Sequence, residues 1–163
     1  MVRQGPQTRA RERFAAAGVR PRGELEGWAL GRSQDADAGE LASRLASEAG
    51  EPALGGWIYD SDFALLVGVG PDGGSFETLL GEPYETDNDP DYTRELEQLA
   101  SGPGQFASAQ ALSAWSKLHA PQPISVEQGL TIISEKPVFV EEVLAKLFKE
   151  LGLPEVETLI GQL

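Results

Sequence analysis

Cysteine is absent from the chain. That excludes disulfides, cysteine nucleophiles, thiolate metal sites and iron–sulfur ligation, and it fits the cytoplasmic location we expect. There is one histidine, His119. A metal site built on two histidines of one chain is therefore impossible, and only an all-carboxylate site could form. No run approaches the roughly eighteen apolar residues of a membrane span, so no membrane contact is expected. The opening stretch MVRQGPQTRARERFAAAGVRPRG has no continuous apolar segment of the kind a secretory leader needs. It is rich in arginine but lacks the serine content of a transit peptide. There is no internal repeat and no low-complexity tract.

Positive charge is scarce and unevenly placed. The net charge of the 163 residues is −13. Residues 1–22 hold six arginines (Arg3, Arg9, Arg11, Arg13, Arg20, Arg22) against the single acid Glu12. The rest of the chain carries 7 basic and 25 acidic groups, a net of −18. We therefore expect a basic, solvated N-terminal arm over 1–22 and a single acidic domain over 23–163. A body of this charge repels nucleic-acid phosphates. It favours solubility and steered encounter with a basic partner.

The periodicities predict an α+β fold. LEGWALGR, residues 25–32, reads as a short strand, and the stretch after it as a helix stopped by Gly50 with Pro52 beyond. From 57 to 69 the odd positions are Trp57, Tyr59, Ser61, Phe63, Leu65, Val67 and Val69. That alternation predicts one long half-buried strand, bulged near Asp60–Asp62, with two shorter strands as the alternative. A third strand is expected over 75–80. The second half reads as helical. Pro90 suits a first helical position after Asp89 as cap. Ala107, Ala111, Ala114, Trp115 and Leu118 are expected on one buried face. Ser125 and Gln128 have the spacing of a capping box. Val140, Val143, Leu144, Leu147 and Leu151 form a stripe on a last helix closed by Gly152. The expectation is a small antiparallel sheet with one inserted helix and a C-terminal helical half.

Gly68, Gly70 and Gly73 spell G-x-G-x-x-G directly after an apolar run. A dinucleotide site needs a helix to start at that turn. Here Pro71-Asp72-Gly73-Gly74 is followed by further period-two alternation, and Pro83 arrives ten residues after Gly73. A hairpin turn is expected instead. There is no G-x-x-x-x-G-K-[ST], so a P-loop is excluded, and no cofactor is expected.

Asp87, Asp89 and Asp91 open like a calcium-binding loop. Tyr92 then stands where such a loop requires glycine, and Gln98 where it requires glutamate. Asp60 and Asp62 are expected on one strand face, about 7 Å apart from the strand rise. Paired carboxylates can bind a metal or divide acid and base roles. With Glu77 across the hairpin, they could instead receive a partner's Arg or Lys. His119 is expected in the last turn of a helix, where a cation meets the negative helix end. No G-x-S-x-G accompanies it. Residues 125–151 spell helix, break, helix, but Glu141, Glu142 and Glu150 argue against a DNA-reading helix.

The function expected is that of a non-enzymatic acidic protein that binds a basic protein partner, as immunity proteins, antitoxins and small adaptors do. Asp60, Asp62, Asp87, Asp89 and Asp91 are the candidate charges, and Tyr84 and Tyr92 the nearby anchors. The alternatives are a small carboxylate-based metal-dependent enzyme or metal-binding protein, and an assembly component that docks through its basic arm.

Overall fold

The computed structural model describes residues 1–3, 14, 19–25, 28–32, 37–83 and 90–154. The fold is α+β. Six strands form one antiparallel sheet: β1 (Val2–Arg3), β2 (Arg20–Leu25), β3 (Trp28–Arg32), β4 (Ala53–Tyr59), β5 (Phe63–Val69) and β6 (Ser75–Gly81), in the order β2-β3-β1-β4-β5-β6. Five helices are described: α1 (Ala38–Ala49), α2 (Pro90–Ala100), α3 (Gly102–His119), α4 (Val126–Ile133) and α5 (Val140–Glu150).

The stretch 57–69 is two strands, not one. Tyr59 N-terminal to the turn pairs with Phe63 after it. Asp60 and Ser61 carry φ of 45° and 65°, and Asp62 N–H donates to the Tyr59 carbonyl at 2.9 Å. Two successive left-handed residues make the turn that matches strand twist in a hairpin. The sheet is also larger than expected. Residues 1–22, read as an arm, contribute β1 and the start of β2. Val2 is buried and pairs with Ala29 on one side and Ala53 on the other, so this part of the segment is built into the sheet.

β5 lies inside the sheet and is buried along its whole length. That accounts for its nearly unbroken apolar run, since both faces are covered. On one face, α1 packs Ala42, Leu45 and Ala46 against Val67 and Val69. Beside it, Leu96 of α2 packs against Phe63, Leu65 and Leu79. On the other face, Leu112 and Trp115 of α3, Ile132 and Ile133 of α4, and Val140, Val143 and Leu147 of α5 join Leu54, Leu66, Phe76 and Leu80 in the largest core.

The local signals explain most helix ends. Asp37 caps α1 through the Glu40 N–H at 2.8 Å, and Gly50 closes it in the left-handed conformation. α2 begins at Pro90, as expected. Ser125 and Gln128 form the reciprocal capping box of α4. The buried face of α3 differs from the expected one. Ser108, Ala109, Leu112, Ser113, Trp115, Ser116 and His119 point inward, while Leu118 is 70% exposed. Two of the serines find backbone partners, which offsets the cost of burying their hydroxyls. Ser113 Oγ donates to the Ile124 carbonyl at 2.9 Å, and Ser116 Oγ accepts from the Ile124 N–H at 3.1 Å. Among the described residues no helix is long and apolar enough to cross a membrane.

Candidate binding groove

The glycine-rich stretch is the tip of the β5–β6 hairpin. Val69 pairs with Ser75, and Gly70 N–H donates to the Gly74 carbonyl at 2.7 Å. Gly73 takes a φ of 84°, which the turn needs and glycine adopts freely. No helix starts there, so the N–H groups that hold a pyrophosphate are not arrayed as a dinucleotide site requires. The tip leans instead on α3. His119, 8% exposed, places Nε2 3.1 Å from Asp72 Oδ1. The Gly74 N–H and the His119 ring hold the Asp72 carboxyl below the usual carboxylate range. His119 thus sits in the last turn of its helix as expected, but buried and facing a carboxylate.

A sizeable groove lies on the face of the sheet that α2 partly covers. Its volume is about 460 Å³. Leu65 of β5, Leu96 and Leu99 of α2, and Ala107 and Ala111 of α3 provide apolar lining, while Glu77 of β6, Glu95 and Tyr92 of α2 supply its titratable groups, with Gln98 and Ser108 also on its wall. The corner between α2 and α3 sets its shape. Ser101 Oγ donates to the Gln98 carbonyl at 2.6 Å and accepts from the Gly104 N–H at 3.1 Å. That double use of one hydroxyl ends α2 and caps α3 within a single residue.

The groove is electrostatically one-sided. Burial raises the Glu77 carboxyl above its ordinary value, and the neighbouring carboxylates Asp37 and Glu95 raise it further. Among the described residues no cation pairs with Glu77 or Glu95. Tyr92 shares a 3.1 Å hydrogen bond with the Tyr59 hydroxyl, and Tyr59 stacks on Phe63 with ring centroids 4.5 Å apart. Burial, then that hydrogen bond, then Glu77 and Asp37 push the Tyr92 phenol well above its ordinary value. It therefore stays a neutral donor or acceptor at physiological pH.

The expected site residues are only partly brought together. Asp60 and Asp62 lie in the β4–β5 turn, both exposed, not on a strand face, because the chain reverses between Tyr59 and Phe63. Glu77 pairs in register with Val67, at the far end of β6 from that turn, so the three acids do not form one cluster. Asp91 is exposed and pairs with Arg94 at 2.9 Å. Tyr84, Asp87 and Asp89 lie outside the described residues. Of the residues named from the sequence, Tyr92 and Glu77 line the groove. Glu95, Leu65 and Leu99 were missed. The signal available was the i, i+3, i+4 spacing of Tyr92, Glu95 and Leu96 on one helix face. Among the described residues no three His, Asp or Glu side chains converge as a metal site would require. No protein-family model, curated protein or solved structure matches the chain.

Proposed function

We propose that this is a non-enzymatic interaction protein that binds a basic protein partner, with the groove between β5–β6, α2 and α3 as the centre of its docking surface. The observation that carries this reading is the pair Glu77 and Glu95. Both are acids beside an apolar cavity, and neither has a cation among the described residues. A cationic partner would offset the burial, and the smaller repulsion from Asp37 and Glu95, that raise Glu77. The net charge of −18 over 23–163 would steer such a partner in and reject polyanions. Exposed Asp60, Asp62 and Asp91 would extend the attraction beyond the groove, as rim charges that act on the association rate. The cysteine-free composition fits a cytoplasmic setting for this role.

The test is affinity capture from the native cell extract at low and high salt, with Glu77→Lys/Glu95→Lys as the comparison. The expected result is one dominant basic protein, weakened by salt and lost with the double variant. Equal capture by the double variant, with circular dichroism showing it folded, would sink the assignment of this groove.

A further inference from the structure

The chemistry of the groove specifies more than a positive charge. We infer that it is a socket for a single arginine side chain presented by the partner, with the aliphatic stem along Leu65, Leu96 and Leu99 and the guanidinium held by Glu77 and Glu95 beside the Tyr92 ring. This rests on the docking role proposed above and names what enters the site.

Three observations select arginine. The apolar residues and the acids line the same cavity, which matches a side chain with a hydrocarbon stem and a charged head. A volume of about 460 Å³ admits one long side chain with its flanking backbone, and is too small for a helix, whose diameter is about 10 Å or more. The two acids come from different elements, one from the sheet and one from α2. A guanidinium offers five donors spread in a plane and can serve both acids at once. It is also more weakly hydrated than an ammonium and stacks on aromatic faces, which suits carboxylates that share a cavity with apolar lining and a tyrosine. A lysine ammonium is a compact, strongly hydrated point charge and gains less from this arrangement. A divalent cation is disfavoured by the apolar lining, and among the described residues no three acidic or histidine side chains converge to hold one.

The probe is the tripeptide acetyl-Gly-Arg-Gly-amide, titrated into the full chain and followed by methyl NMR. The lysine and citrulline counterparts serve as comparisons; citrulline keeps the shape of arginine and loses the charge. The expected result is saturable shifts at Leu65, Leu96, Leu99 and Ala111. The lysine peptide should bind at least about fivefold more weakly, and citrulline should give no saturable shift. Glu77→Gln and Glu95→Gln should each weaken the arginine peptide about five- to tenfold. Equal binding of the arginine and citrulline peptides, shifts located elsewhere, or no shift at millimolar peptide would overturn the socket. The peptide comparison uses the unaltered chain, so it stands even if a variant fails to fold. A failed tripeptide with partner capture still lost in the Lys/Lys variant refutes the socket and leaves the docking groove intact. A bound tripeptide with capture unaffected does the reverse.

Discussion

His119 Nε2 lies 3.1 Å from Asp72 Oδ1, joining the last turn of α3 to the tip of the β5–β6 hairpin. Gly70 makes this approach possible. A Cβ there would stand 2.1 Å from His119 Nε2 and 2.5 Å from Asp72 Oδ1. Gly70→Ala is expected to destabilise the protein by about 1–3 kcal/mol, the usual cost of overpacking. Urea unfolding measures it, and a wild-type midpoint would refute the contact.

The same pair has a pH signature. Asp72 has a folded pKa below its unfolded one, so its contribution to stability is present above the ordinary Asp range and is lost as pH falls through the depressed value. Asp72→Asn is expected to lower the melting temperature at neutral pH. The gap from wild type should close in acid. A gap that stays constant down to pH 2 would show that ionised Asp72 contributes nothing.

Glu77 carries the opposite sign. Its folded pKa is raised, so ionisation costs stability as pH climbs past the ordinary Glu range. Glu77→Gln is expected to raise the melting temperature by about 1–3 °C at pH 7, a modest gain because the group is partly solvated. Below about pH 4, where the acid is protonated in either state, the gain should vanish. A loss of stability at pH 7 would mean that Glu77 has a favourable partner.

Thr78 is 0% exposed, and its hydroxyl has no hydrogen-bond partner among the described residues. Valine has nearly the same shape without the polar group. Thr78→Val is expected to stabilise the fold by about 1–2 kcal/mol, as read by chemical denaturation. A destabilised variant would reveal a partner for the hydroxyl.

Two glycines at the α2–α3 corner should behave differently. A Cβ on Gly104 would stand 1.9 Å from the Gln98 carbonyl oxygen, whereas one on Gly102 meets nothing within 4 Å. Gly104→Ala is expected to cost about 1–3 kcal/mol and to distort the groove. Gly102→Ala should be neutral or stabilise by a few tenths, up to about 1 kcal/mol. Thermal melts of the two variants decide it; equal effects would refute the tight corner.

The alternation from Trp57 to Val69 was legible, but its interpretation was not. Tyr59 and Phe63 are four residues apart and oppose each other across a three-residue connection. An even step keeps both side chains on the same face, so period two runs through a reversal of direction unbroken. Asp60 and Ser61 adopt left-handed backbone without the Asn-Gly or Gly-Gly signal that usually announces such a turn. β2 was hidden by its composition. Pro21 and Gly23 are residue types that interrupt strands, yet an edge strand with a register shift between them accommodates both. The inward face of α3 was misjudged because serines at 108, 113 and 116 look polar until Ile124 is seen to partner two of them. The α5 stripe and the α4 capping box depend only on local spacing, and these were legible in full. The groove depends on residues from β5, β6, α2 and α3 meeting in space, which no local spacing encodes.

The two ends of the strand order have a consequence for how copies of this chain meet one another. At one end β2 is interrupted by Pro21, which lacks a donor, and by its register shift. At the other, β6 has α3 beside it, with Leu112 and Trp115 reaching the core under one face and Ala107 and Ala111 lining the groove on the other. Neither border is a flat, unobstructed row of N–H and C=O groups on which another molecule's strand could be templated. Added to the mutual repulsion of strongly anionic bodies, this makes strand-by-strand polymerisation an unfavourable fate for the folded chain even when it is crowded.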